Sequence, residues 1–184
     1  MRVIAGTARG LRLDCPAGVA RPMMDRVRGA VFSSLGEAVP GARALDLFAG
    51  SGAIGIEALS RGAASCHFVD RNRKAAEVIR TNLARAKLTG SVRLQDVAAY
   101  LGSATPAAFD LVFADPPFAL ETGDPAHPHF LLAGSNLARC VAPGGFFVVE
   151  LPQEPPRPAP SWELLRSRRY GQAWVAMYRR TPDA

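Results

Sequence analysis

The chain has 184 residues, 48% of them apolar, and a formal net charge of +6. That length supports one well-buried domain and is short for two, and no run of eighteen apolar residues offers a membrane span. The opening MRVIAGTARG lacks a secretory signal's apolar stretch, so a cytoplasmic protein with no membrane partner is expected.

Taken in chain order, the first 42 residues read as an extension. Val3–Ala5 and Leu11–Leu13, around Gly6 and Gly10, have the form of a small hairpin, and residues 25–35 follow Pro22 with helical periodicity. From 43 to 184 strand and helix signals alternate as in a parallel sheet covered on both faces. Strands are expected at Arg43–Phe48, Ser65–Val69, Val92–Leu94, Phe109–Ala114 and Gly145–Leu151. Helices are expected near Ile54–Arg61, over Asn72–Lys87 with Asn72 as cap, and over Phe130–Val141 before a Pro143-Gly144 turn. After a proline-rich connector from Pro152 to Pro160, Trp162–Arg166 and Trp174–Arg179 have no helix-length segment between them. They therefore form a hairpin, and a hairpin requires one reversed strand. The expected fold is α/β, a single domain built on a doubly wound, mostly parallel seven-stranded sheet with one antiparallel edge strand.

Charge is segregated along the chain. Residues 1–43 hold seven Arg against three acids and residues 157–184 six Arg against two, whereas the middle has nine Lys and Arg against eleven acids. An arginine-biased genome explains Arg in place of Lys but not the segregation, which favours nucleic-acid contact by the basic ends. Cys15, Cys66 and Cys140 are odd in number and lack CxxC spacing, so they are expected to be reduced, buried bystanders and not a disulfide or zinc framework. His67, His127 and His129 are expected to be core or solvated residues, and no metal site is predicted.

Two motifs carry the chemistry. Gly50-Ser51-Gly52-Ala53-Ile54-Gly55 spells the GxGxxG of dinucleotide-binding turns, a weak signal alone. Asp46 lies four residues before the first glycine. It would oppose a pyrophosphate on that turn and favour a cationic ligand such as S-adenosylmethionine, although a strand-end or helix-capping acid is the plainer alternative. Asp70, after the second strand, is placed to accept from ribose hydroxyls. Asp96, after the third, is placed either to accept from an adenine amino group or to cap the helix beginning at Val97. Asp115-Pro116-Pro117-Phe118 follows the fourth strand at the edge where open α/β sheets bind ligands. Its prolines stiffen a platform of acceptors. Hydrogen bonds from an exocyclic amine to Asp115 and the Pro116 carbonyl would stabilise positive charge developing on nitrogen, with Phe118 stacking on an extruded base.

These residues together resemble the class I S-adenosylmethionine-dependent methyltransferases. More narrowly, the chain is similar to the RsmD-type bacterial 16S ribosomal RNA guanine-N2 methyltransferases, through MRVIAGTARGLRL, Arg21-Pro22-Met23-Met24-Asp25-Arg26-Val27-Arg28, DLFAGSGAIGIEALSRGA, Val69-Asp70-Arg71, Asp115 to Phe118 and Tyr170-Gly171-Gln172. The resemblance implies S-adenosylmethionine as cofactor, held by Asp46, Phe48, Gly50, Ser51, Gly52, Asp70, Arg71, Asp96 and Val97. It implies a target-amine site at Asp115, Pro116, Pro117 and Phe118. It also implies ribosomal RNA within the small subunit as substrate, placed by N-terminal arginines, of which Arg2, Arg9, Arg21, Arg26 and Arg28 are the candidates. A monomer is expected. The family motif commonly ends in Tyr where Phe118 stands and has Thr after Arg-Pro where Met23 stands, which removes one hydroxyl at each place. A DNA or protein-glutamine amino-methyltransferase, a nicotinamide oxidoreductase and a non-catalytic RNA-binding relative remain open alternatives.

Overall fold

The computed structural model describes residues 1–16, 23–117 and 123–182; Arg21 and Phe118 therefore lie outside the described residues. Seven strands form one sheet: β1 (Arg43–Leu47), β2 (Ser65–Asp70), β3 (Ser91–Leu94), β4 (Phe109–Ala114), β5 (Val141–Leu151), β6 (Trp162–Tyr170) and β7 (Ala173–Arg180). Their order is β3-β2-β1-β4-β5-β7-β6. The first five run parallel, and β7 runs antiparallel to both β5 and β6. The expected sheet and hairpin are thus present, with the reversed strand seated between β5 and the edge strand β6. Strand order turns back between β1 and β4, and the carboxyl ends on either side of such a switch point frame a crevice.

The helices are α1 (Asp25–Leu35), α2 (Ala53–Ser60), α3 (Arg73–Ala86), α4 (Val97–Ser103), α5 (Pro128–Ala133) and α6 (Ser135–Cys140). Side chains alternate between the two sheet faces, and both faces are buried, so the central strands read as continuous apolar runs. Ala44, Phe68, Leu111, Phe113 and Val148 pack with the N-terminal segment, α1, α2 and α3. Leu45, Leu47, Val69, Val112, Phe147 and Val149 pack with α4, α5 and α6. Asn72 caps α3 as expected, accepting from the Lys74 and Ala75 N–H groups. Gly55 is required by packing: a Cβ there would lie 2.3 Å from the Phe68 ring and 2.6 Å from Cys66 Sγ.

Several expectations need correction. The helix expected over 130–141 is two short helices, broken where Gly134 adopts extended geometry (φ −81°, ψ 150°). Val141 already belongs to β5, and Pro143-Gly144 form an irregularity inside that strand: Phe109 pairs with Val141, but Leu111 pairs with Phe146. The N-terminal hairpin is present but short: Val3 N–H donates to the Leu11 carbonyl, Gly10 N–H to the Val3 carbonyl and Leu13 N–H to the Met1 carbonyl around the Arg2–Arg12 bridge, while the Ile4 and Ala5 N–H groups donate to the Glu57 carboxylate of α2 at 2.7 and 3.1 Å. Cys66 and Cys140 are buried, whereas Cys15 is exposed.

Glu57 is also the centre of the largest correction. Arg28, expected to face RNA, is fully buried. Its guanidinium donates to the Arg2 carbonyl, the Met23 carbonyl and Asp25 Oδ1, and its Nε lies 3.8 Å from Glu57 Oε2. Glu57 further accepts from Arg61 Nε at 2.7 Å. The buried pair ties residues 2–5 and α1 to α2 and leaves Arg28 no surface to offer a substrate.

Candidate active site

A cleft of about 930 Å³ opens at the carboxyl ends of β1, β2, β4 and β5, a volume in the range of small-molecule sites. It is floored by the turn between β1 and α2. Phe48, a cleft residue, holds φ at +57° although it is not glycine, a strained geometry of the kind that gathers at functional sites. Gly50 (φ +54°) and Gly52 (φ +76°) take the left-handed geometry that glycine tolerates.

The turn's N–H groups are largely spent within the protein. Gly50 N–H donates to Asp70 Oδ2 at 2.8 Å and Gly55 N–H to Asp46 Oδ2 at 2.8 Å. Gly52 N–H donates to the Ala49 carbonyl. A phosphate on this turn would have to displace carboxylates from their donors, so the arrangement opposes a dinucleotide. The lining charge agrees. Among the described residues it includes six acids, Asp46, Asp70, Asp96, Asp115, Asp124 and Glu150, against one base, Arg71. Such a set fits a cationic ligand and disfavours an anionic one. Burial pushes the Asp46 carboxyl well above the ordinary carboxylate range, against the pull of the Gly55 hydrogen bond, and Asp115 and Asp70 add to the upward push.

The predicted cofactor residues converge. Asp46, Phe48, Gly50, Ser51, Asp70, Arg71, Asp96 and Val97 all line the cleft. Gly52 stands just behind it as the N-cap of α2. Asp46 anchors the α2 N-terminus through Gly55 N–H and also lines the cleft. Asp70 Oδ1 also accepts from Asn72 N–H at 2.8 Å, and each of its oxygens keeps a further lone pair for a ligand hydroxyl. Asp96 caps α4 through Oδ1, accepting from Ala99 N–H at 3.1 Å, which leaves Oδ2 as the acceptor available to the cleft.

Asp115, Pro116 and Pro117 form the wall beyond β4. Asp115 Oδ2 accepts from the backbone N–H of Met23 at 2.9 Å, so the segment entering α1 clamps the acid in place. Because that donor is main chain, the bond does not depend on which residue stands at 23. Burial pushes the Asp115 carboxyl up to about 6, against the downward pull of Met23 N–H. Beside it stands Glu150, which the motif reading missed. Burial and the neighbouring Asp115 push its carboxyl up to about 7. Tyr170, Gly171 and Gln172, at the β6–β7 turn, close the far side.

Of the N-terminal arginines, Arg2, Arg9 and Arg26 are exposed and share one shallow depression with Asp25. His67 Nδ1 lies 2.7 Å from the Tyr100 hydroxyl, and His127 accepts from His129 N–H at the start of α5. None of the three lines the cleft.

A family model described as Conserved hypothetical protein 95 matches residues 1–179. The Bacillus subtilis protein YlbH, named as a candidate rRNA methyltransferase, is 35% identical over 98% of this chain and 99% of its own length. Ribosomal RNA small subunit methyltransferase D of Escherichia coli is 33% identical over 98% of this chain and 90% of its own length. The solved structure of the Escherichia coli protein YhhF, titled as a candidate methyltransferase, superposes with a TM-score of 0.85 at 32% identity. That match covers 100% of this chain and 99% of the other. With the glycine turn, the acidic cleft and Asp115-Pro116-Pro117 in these positions, the chain belongs to the Conserved hypothetical protein 95 family, that of the RsmD-type ribosomal RNA methyltransferases.

Proposed function

We propose that the chain transfers a methyl group from S-adenosylmethionine to the N2 amino nitrogen of a guanine in 16S ribosomal RNA, presented within the small ribosomal subunit. The observation that carries this reading is Asp115, pinned by Met23 N–H at the rim of a cleft whose described lining holds six acids against one base. Asp46, Asp70, Asp96 and the β1–α2 turn would hold the cofactor, which supplies an electrophilic methyl carried on a sulfonium. The residues present fit it, since its net positive charge relieves the crowding of carboxylates and it brings no phosphate to a turn whose Gly50, Gly52 and Gly55 N–H donors are already engaged.

The amine needs help because its lone pair is delocalised into the ring. Asp115 and the Pro116 carbonyl accept its two hydrogens, orient the nitrogen and stabilise the positive charge that grows there during transfer, and Asp115 is placed to take up the proton that the methylated nitrogen sheds. The Asp115 carboxyl near 6 is mostly ionised at neutral pH and so is ready to accept. Phe118 is proposed as the stacking partner of the base. Arg2, Arg9 and Arg26 are proposed, with Arg21, as phosphate contacts that position the RNA without reading its sequence.

Nucleoside analysis of 16S ribosomal RNA from cells with and without the gene tests the proposal. Loss of one N2-methylguanosine, restored by the intact gene and not by its Asp115→Ala form, is the expected outcome. An unchanged nucleoside profile in the deletion would overturn it.

A further inference from the structure

Glu150 is the acid in the cleft that the motif reading does not explain. It sits at the carboxyl end of β5, and the register places it beside Asp115: Ala114 pairs with Val149 in parallel, so the next residue of each strand stands side by side. Paired residues on adjacent parallel strands point to the same sheet face, about 4.8 Å apart. For these two that is the face of Phe113 and Val148, under the N-terminal segment. Asp115 has its Met23 donor. Among the described residues Glu150 has neither a hydrogen bond nor an ion pair through its carboxylate, and no cation lies between the two acids. Two neighbouring carboxyls without a cation are mutually destabilising. A ligand that brings several N–H donors relieves both.

We infer that Glu150 determines which base is accepted, by receiving the N1–H of guanine while Asp115 and the Pro116 carbonyl receive the two hydrogens of the N2 amine. This deepens the guanine-N2 reading above and rests on it. Among bases with an exocyclic amine, guanine alone presents a ring N–H beside that amine. Adenine at N1 and cytosine at N3 present lone pairs instead, and a lone pair against a carboxylate is repulsive. Three acceptors in the cleft wall thus match the three hydrogens of the guanine edge. Sites built around buried hydrogen-bonding groups reject analogues that leave those groups unpaired far more strongly than apolar pockets reject a missing methylene.

The test uses small subunits reconstituted on 16S ribosomal RNA ligated to carry either guanosine or 2,6-diaminopurine riboside at the methylated position. Diaminopurine keeps the 2-amino group but has a lone pair at N1. The wild-type enzyme is expected to prefer guanosine by at least about 100-fold in kcat/KM. Glu150→Gln, whose amide offers a donor as well as an acceptor, should narrow that preference at least about ten-fold. Glu150→Asp, which shortens the reach but keeps the acid, should slow guanosine without gaining diaminopurine. A preference left unchanged by Glu150→Gln, with both acceptors slowed alike, would show a positioning or structural role and overturn the inference alone. A wild-type enzyme that labels a nucleoside other than guanosine overturns the base assignment and the inference with it.

Discussion

Replacing Asp115 by Asn should stabilise the protein while abolishing methyl transfer. Asn keeps an oxygen that can accept from Met23 N–H and removes only the buried charge. The carboxyl rises from 3.8 to about 6 on folding, chiefly through burial, so the folded protein binds the proton more tightly than the unfolded chain does. Stability therefore falls as pH rises from about 3.8 to about 6, and the full cost is present above that window. About two pK units at 1.36 kcal/mol each give a cost of about 3 kcal/mol at pH 7.5, of which about 1 kcal/mol is already present at pH 4.5. For a chain of this size the gain at pH 7.5 corresponds to roughly 6–12 °C in Tm. Relief of Glu150, pushed up in part by Asp115, adds in the same direction. Thermal unfolding of the ligand-free wild type and Asp115→Asn at both pH values is the assay, paired with a transfer assay in which the variant should lose at least about 100-fold. A Tm for the variant equal to or below wild type at pH 7.5, or a gain independent of pH, would refute the reasoning.

Three further perturbations probe other parts of the molecule. Glu57→Ala removes the partner of buried Arg28 and the acceptor of two backbone N–H groups, and should cost about 3–5 kcal/mol in urea unfolding; a loss under about 1 kcal/mol would mean the pair is dispensable. Gly55→Ala drives a methyl to within 2.3 Å of the Phe68 ring and should destabilise by about 1–3 kcal/mol, whereas Gly10→Ala, which meets no atom within 4 Å, should lose only what its left-handed backbone demands, about 1 kcal/mol. Changing Arg2, Arg9 and Arg26 together to Gln should weaken RNA binding across sequences and flatten its salt dependence by up to about three units of slope, while leaving S-adenosylmethionine binding in calorimetry unchanged.

What the sequence disclosed follows physical lines. The central strands were legible because burial on both faces makes them unbroken apolar runs, and Asn72 was legible as a cap because its side chain acts on its own neighbours. The gathering of Asp46, Asp70 and Asp96 in one cleft was legible because each lies at or near a strand's carboxyl end, where register brings them to one edge. Harder to read were features set by distant partners. Arg28 belongs with Phe32 and Leu35 at helical spacing on the buried side of α1, a signal that the wheel of that helix carried and that its charge concealed. The N-terminal hairpin is anchored by Glu57, more than fifty residues away, which takes the Ile4 and Ala5 N–H groups. Pro143-Gly144 looked like a turn before a strand and is an irregularity within one, because pairing with β4 resumes on both sides of it. Glu150 was overlooked because it closes an apolar run with no motif around it, and only its neighbour across the sheet gives it meaning.

The central claim, methyl transfer to guanine N2 with Asp115 at the target amine, is tested most directly with labelled S-adenosylmethionine and small ribosomal subunits from cells lacking the protein. Wild-type enzyme should place label in N2-methylguanosine of 16S ribosomal RNA. Asp115→Ala should place none while binding the cofactor within a few-fold of wild type. Label recovered in DNA or protein, or an Asp115→Ala enzyme that still transfers, would contradict the account.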